Sequence, residues 1–461
     1  MTTHSFRIVF ILGLALSCTV LGLAPPPAQA PAAAMPAMAL TIFTVAMLAT
    51  GAVPEFIAAI IFFTVAAVIA VAPPEAIFSG FHSNALWLVF SGLVIGAAAE
   101  RTGLGKWIAQ AFIKRIGNSY GRMIAAIILG ATAMSFVIPS SIGRFSIMVP
   151  VVAAIAKESG YPAGSNRYIG AILAAVFGGF FISLGVLPAN LINIVMVGAA
   201  ETMHDLNITY GEYLLMNMPV LGVVKGVLIG ALVLLIFRPK APPETPRVSP
   251  PAPLSDEGRK LGMILIFALV VWATDSVHGV APGWVALTAA AICLLPGIQL
   301  VPPQVFAEKV NFVTVLYIAS VLGIGAVLSH SGAGELLSRL IVGVSRVEGQ
   351  SPAYGYFAVS ALSTLLPTVA TLPGSIAILT PVAGDIAAAT GLDVKIAAMA
   401  QLNGMSSVLF PYQAPPLLVG LTFGGVTVAQ SLKLLLPLSI ITILVLVPMN
   451  FIWWRWLGYI Q

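Results

Sequence analysis

The sequence predicts an all-α, polytopic membrane protein of about 11 transmembrane helices, with two re-entrant hairpins in an inverted repeat. Three observations lead there. The first is composition: of 461 residues, 59% are hydrophobic and 8% charged, and the mean hydropathy is +1.03. No soluble fold hides that much apolar surface, and apolar runs near the roughly 20 residues needed to span a bilayer recur from end to end. The second is repetition. Residues 89–157 and 318–390 each hold an apolar helix ending in a Gly-rich turn (Thr102-Gly103-Leu104-Gly105; Ser331-Gly332-Ala333-Gly334), then a short amphipathic stretch, then a long apolar stretch broken in its middle. The third is where the breaks fall. Interrupted apolar segments at matching places in two halves point to the substrate site of a transporter.

The elements follow in order. In segment 1–35, Arg7, the run Ile8 to Leu23 and Ala28-Gln29-Ala30 suit a retained first helix or a signal-like segment; the helix is favoured. Spans are expected at 6–24, 36–53, 55–72, 84–100, 168–200, 212–237, 261–278, 282–299, 311–329, 395–425 and 431–456. Between them lie the hairpins 120–157 and 353–390. Their arms argue against full crossings: Met123–Pro139 and Tyr354–Ala370 reach about 25 Å at helical rise, and Phe145–Ala156 falls well short of the roughly 30 Å of hydrocarbon. The stretches 103–117 and 333–347 read as helices lying in the membrane interface. The first repeat thus covers 36–237 and the second 261–461, joined by a Pro-rich, charged cytoplasmic linker at 238–260.

Charge supports the topology. Most of the 21 Lys and Arg residues fall in loops on one side, which the positive-inside rule makes cytoplasmic, together with the N-terminus. Arg339, Arg346, Lys395 and Arg455 fall outside, and Arg144 and Lys225 sit in apolar sequence. The net charge of +5 gives no sign of nucleic acid. Cys18 and Cys293 lie in apolar helices and read as packing residues. An integral protein of the bacterial inner membrane is the expected setting.

The hairpin tips carry the chemistry. A break in a membrane helix frees backbone N–H and C=O groups, tolerated only where protein, water or ligand satisfies them, and the second arm points its positive helix end at the break. The first tip is Pro139-Ser140-Ser141-Ile142-Gly143-Arg144 and the second Thr371-Leu372-Pro373-Gly374-Ser375. Hydroxyls, glycine and a guanidinium suit a carboxylate or similar oxyanion, so Ser140, Ser141, Gly143, Arg144, Thr371, Gly374 and Ser375 are substrate-binding candidates. Against this stand snorkelling or an ion pair for Arg144, though a charge so deep in apolar sequence usually serves function. Asn190, Asn193, Gln401, Asn403, Ser406, Ser407 and Gln413 cluster along two broken helices; such groups often only join helices. Asn190 and Gln413, at the breaks, are the candidates to touch ligand.

These segments resemble the divalent anion:sodium symporter family. In that family each tip reads Ser-Asn-Thr ten residues before a proline; here Ser140-Ser141-Ile142 precedes Pro150 and Thr371-Leu372-Pro373 precedes Pro381. Gly143-Arg144 matches the end of a longer tip found in some dicarboxylate exchangers. A second signature, Gly-Thr-Pro-Pro-Asn, appears as Gly185-Val186-Leu187-Pro188-Ala189-Asn190 and as Pro411-Tyr412-Gln413-Ala414-Pro415-Pro416. The resemblance implies an anion held between the tips, with Pro415 beside it, and a homodimer whose scaffold carries a moving transport part. It also implies sodium as the coupling ion, held by oxygens of Ser140, Gly185, Thr371 and Ala414, with no other cofactor. The tip asparagines are missing here, which weakens sodium coupling. Arg144 as a permanent counter-charge would suit exchange or proton coupling.

The expected function is therefore secondary active transport of small organic anions, di- or tricarboxylate-like, by cation-coupled symport or anion exchange with elevator-type alternating access. The alternative is a carrier of the same fold for another ion, by inorganic anion efflux or cation/proton antiport. No catalytic residue is expected: the spans hold neither paired acids nor His-Glu-x-x-His, and Gly103-Leu104-Gly105-Lys106 lacks the spacing of an ATP-binding loop.

Overall fold

A computed structural model describes residues 3–27, 30–115, 119–237 and 253–460. Helices α1 (Thr3–Leu23), α2 (Ala34–Thr50) and α3 (Glu55–Val68) come first. Then α4 (Asn84–Thr102) starts at Ser83, whose Oγ accepts from the Ala85 N–H, and stops at Gly103 in the left-handed region (φ 72°). That glycine turn leads directly into α5 (Leu104–Arg115). A hairpin of α6 (Tyr120–Val137) and α7 (Ser141–Glu158) follows, then α8 (Asn166–Phe181) and α9 (Leu191–His204), separated by the short turns Ile182–Gly185 and Leu187–Ala189. The long helix α10 (Tyr210–Ile236) closes the half and contains a wide π-helical turn, Met218–Val224.

The same order then recurs. After α11 (Asp256–Ala273) and α12 (Pro282–Leu294) comes α13 (Phe312–Ser331), capped by Asn311 and ended by Gly332 at φ 77°. It turns into α14 (Ala333–Ser345), the hairpin of α15 (Pro352–Leu365) and α16 (Leu372–Thr390), the broken pair α17 (Val394–Met405) and α18 (Pro415–Gly424), and α19 (Val428–Trp456), again with a π-helical turn at Thr442–Leu446. No strand occurs among the described residues. Seven helices there are long and apolar enough to cross a membrane; α2, α3 and α12 are shorter. The protein is a polytopic, all-α membrane protein.

Two expectations need correction. The second hairpin arms are not short: α7 has 18 residues and α16 has 19, because the helix runs on through Pro150 and Pro381. Arm length alone therefore does not forbid a crossing. The expected linker also ends early. Residues 238–252 lie outside the described residues, but Asp256 to Lys260 are already the first turns of α11, where Ser255 Oγ accepts from the Gly258 N–H and two acids face the positive helix end. Cys18 and Cys293 are buried and free.

The core of the fold is the region around α8, whose residues are buried on every side. Helices α7, α6 and α10 pack on it, and α18 packs on both α7 and α8. In the second half α15, α16 and α17 pack together, with α9 against α16. Contact is closest where α17 crosses α15: a Cβ on Gly404 would lie 2.4 Å from the main-chain carbon of Ser363. A second group, α2, α3, α4, α12 and α13, is joined by the packing of α12 on α4 and of α13 on α3 and α2, and it meets the first group where α9 packs on α4 and α13 and α16 on α13. The cavity described next lies where the two groups meet.

Candidate functional site

Each break is made by local chemistry. Helix α6 ends at Val137, Pro139 has no N–H to continue the ladder, and Ser140 caps α7 through Oγ, which accepts from the Gly143 N–H at 3.2 Å. In the second hairpin a tight turn, Leu366–Thr368, precedes Thr371, which opens α16 without a side-chain cap. Pro373 is tolerated there because first-turn N–H groups have no helical partner. Asn190 caps α9, its Oδ1 accepting from the Ile192 N–H at 3.3 Å while its amide donates to Ser183 Oγ at 3.1 Å. Helix α18 begins with Pro415 and Pro416 after the turn Pro411–Gln413.

These four breaks meet. One cavity of about 340 Å³ is lined by Ser140, Ser141 and Ile142 at the start of α7, and by Asn190, Leu191 and Ile192 at the start of α9. Thr371, Leu372 and Pro373 at the start of α16 and Ala414, Pro415 and Pro416 at the start of α18 complete that side. Four helix N-termini therefore converge, each worth about half a positive charge. The opposite wall comes from the second group: Val89 and Leu93 of α4, Glu55 of α3, and Asn311, Thr314 and Tyr317 at the head of α13. Glu55 is the one charged side chain in the lining among the described residues. Thr371 Oγ1 is buried and makes no hydrogen bond of full geometry among them, and the Tyr317 hydroxyl stands beside it across the cavity.

Arg144 is elsewhere. It lies on the first turn of α7, is wholly buried, and turns away from the cavity into the body. Its Nη1 donates to the Ile138 carbonyl (2.5 Å) and the Ala189 carbonyl (2.7 Å), Nε to the Gly179 carbonyl (3.1 Å), and Nη2 to Ser141 Oγ (3.0 Å). The guanidinium thus ties the first tip to both sides of the break between α8 and α9. In this arrangement it does not reach the cavity lining; three of its hydrogen bonds go to main-chain carbonyls at the breaks and one to the Ser141 hydroxyl.

The other candidates divide in the same way. Ser140, Ser141, Asn190, Thr371, Ala414 and Pro415 line the cavity, whereas Gly143, Gly374, Ser375, Gly185 and Gln413 do not. Ser375 Oγ donates to the Leu372 carbonyl, and Gln413 Oε1 accepts from the Leu409 and Phe410 N–H groups, both at 2.7 Å, closing its own loop. Gly185 packs against Met218, where a Cβ would come within 2.9 Å of main chain. Asn193 donates to the Ser183 and Val186 carbonyls, Gln401 pairs with Thr380, and Asn403 with Ser360 and Asn450.

The fit to sodium is poor at the first break. Of the oxygens expected to hold sodium there, the Ser140 carbonyl accepts from the Arg144 N–H and the Ser140 hydroxyl from the Gly143 N–H, while the carbonyls of Ile138, Ala189, Ser183 and Val186 around the break accept from Arg144 and Asn193. At the second break Thr371 and Ala414 both line the cavity, but the Ala414 carbonyl accepts from the Leu417 N–H, and two oxygens do not complete a hard cation's coordination shell. Sequence reading missed Glu55, Asn311, Thr314 and Tyr317. The last three recur every third residue and so share one face of α13, a polar stripe at the mouth of an apolar helix that could have been noticed.

The chain is similar to known proteins along nearly its whole length. Residues 6–460 match the family described as the sodium:sulfate symporter transmembrane region. A membrane protein of Cupriavidus necator is 25% identical over 83% of this chain and 77% of that one. The L-tartrate/succinate antiporter of Escherichia coli is 22% identical over 81% of this chain and 79% of its own. The inner membrane protein YbhI of the same species is 24% identical over 83% and 82%. Among solved structures, the YdaH transporter of Alcanivorax borkumensis shares the fold, with a TM-score of 0.58 over 99% of both chains at 16% identity.

Proposed function

This chain belongs to the divalent anion:sodium symporter family, that of the sodium:sulfate symporters, and we propose that within it the protein is a secondary carrier that exchanges small organic dianions. It is a membrane transporter of anions and not an enzyme. The observation that carries the proposal is the convergence of four helix starts on one cavity with no basic side chain in its lining. Its positive potential comes from backbone dipoles, which favour an anion with several acceptor oxygens. The volume suits a small molecule, near the lower end of the roughly 300–1,000 Å³ of typical ligand pockets. An L-tartrate/succinate antiporter among the relatives supports a di- or tricarboxylate as substrate.

Exchange is preferred to sodium symport because the buried Arg144 guanidinium, bonded to the Ile138 and Ala189 carbonyls behind the first tip, can serve as a standing positive charge. Alternating access of the elevator kind would move α6–α10 and α15–α19 as a body against the second group, carrying the cavity at their boundary. Under this reading the two halves are inverted repeats over 36–237 and 261–461, the protein is a homodimer, and the N-terminus and 238–260 face the cytoplasm of the inner membrane. The family name favours a second reading, an inorganic oxyanion such as sulfate. Proteoliposomes separate the two. Labelled succinate, tartrate, citrate or sulfate should enter vesicles preloaded with dicarboxylate and not empty ones. No dicarboxylate uptake under exchange, sodium or proton gradients would remove the reading.

A further inference from the structure

One acid faces a cavity whose other walls attract anions. Glu55 is the first residue of α3 and lines the chamber opposite the four helix starts. It is exposed and forms no salt bridge among the described residues. An acid in this setting is costly and normally paired, and its usual reason is function.

Nothing basic packs beside it. Helix α2, against α3, has no titratable residue. Helix α13 brings Tyr317, with His330 about 20 Å farther along its axis. The short helix Pro74–Ile77 brings Glu75 beyond the far end of α3. Across the cavity the helix starts offer hydroxyls and the Asn190 amide. Tyr317 is buried, close to both Glu55 and Thr371, so a polar row runs from this wall to the second tip.

The charge of Glu55 and that of the cargo conflict. With the cavity empty, a carboxylate in contact with water is ionised at neutral pH. With a dianion in place, the same carboxylate faces two like charges where water has been displaced. A proton on Glu55 removes the repulsion and turns an acceptor-only group into a donor toward the guest.

We propose that Glu55 is a proton-linked gate on the wall opposite the tips, so that the dianion binds tightly only as a proton joins this side chain. The inference rests on the dianion reading of the cavity. One proton passes from solvent to a Glu55 carboxylate oxygen as the guest enters and returns to solvent as it leaves. Glu55 belongs to the second group, against which the cavity moves in the elevator reading. The proton therefore stays behind and is not cargo.

The test uses the full chain in detergent, titrated with succinate by calorimetry at pH 7 and pH 8 in buffers of different ionisation enthalpy, which reads the protons taken up. The wild type should take up about 0.3–1 proton per succinate at pH 7, and its affinity should fall about two- to tenfold from pH 7 to pH 8. Glu55→Gln removes the acceptor and corrects for any proton held by succinate itself. It should take up none, with affinity constant within about twofold over that range. Tyr317→Phe should keep the uptake. In liposomes a proton gradient should not drive succinate accumulation. No uptake by the wild type, equal uptake by Glu55→Gln, loss of uptake in Tyr317→Phe, or accumulation driven by protons would each overturn the gate while leaving the dianion carrier intact. If Glu55→Gln does not fold, the wild-type, Tyr317→Phe and liposome arms decide. A folded wild type that binds no succinate sinks the dianion reading itself, and this inference with it.

Discussion

Replacing Arg144 by Met tests whether the guanidinium holds the first tip together. The substitution keeps an unbranched side chain and removes all four hydrogen bonds. Three buried carbonyls, of Ile138, Gly179 and Ala189, then lose their Arg144 donor. At about 1–3 kcal/mol for each buried group left unpaired, the gross loss is roughly 3–9 kcal/mol, and relief from burying a charge offsets part of it. A net loss of about 3–5 kcal/mol is expected, the range seen when one member of a buried charged network is removed. Tryptophan fluorescence of the purified protein in detergent should show unfolding several degrees lower. Sodium gives a second readout. In Arg144→Ala the same carbonyls surround an emptied space, so sodium should raise the melting temperature of that variant and not of the wild type. An Arg144→Met protein that melts within about 1 °C of the wild type would refute the reasoning, since the carbonyls would then have other partners.

Thr371→Val removes a cavity hydroxyl that makes no hydrogen bond of full geometry, only an approach to Tyr317; succinate affinity should fall about tenfold with the melting temperature unchanged within about 1 °C, as thermal-shift titration can show. Glu55→Gln takes the one acid out of the cavity lining, and apparent succinate affinity should rise about fivefold at neutral pH through loss of like-charge repulsion. Gly404→Ala forces a Cβ against the main chain of Ser363 and Thr364; it should destabilise by at least about 1–3 kcal/mol, and unchanged unfolding would mean the crossing of α15 and α17 is looser than described.

The spans and breaks were legible because each has a local cause. Long apolar runs fix the helices, Gly103 and Gly332 end two of them in the left-handed region, and Pro139 and Pro188 interrupt the ladder where the sequence says they must. That both tips share one cavity was inferred from the duplication. The destination of Arg144 was not legible. It depends on the rotation of α7 about its axis: with Ser141 as the first helical residue, position 144 turns toward α8, and nothing local in the sequence sets that rotation. The hydrogen bonding of Gln413 has a local cause as well, since a carbonyl side chain three or four residues after two free N–H groups folds back to serve them. The opposite wall of the cavity was invisible for another cause. Glu55 and Tyr317 are far apart in sequence, and only tertiary packing of α3 on α13 sets them side by side.

On the proposed reading, attraction for negative charge in this cavity comes from peptide groups at four helix starts and not from the side chains that line it. No point mutation in the lining can delete a helix end. Evolution can therefore retune which anion fits by altering the hydroxyls, prolines and aromatic ring around the chamber, while the sign of the cargo stays locked in the chain's trace. A change of sign would require rebuilding the path of the backbone at several breaks together.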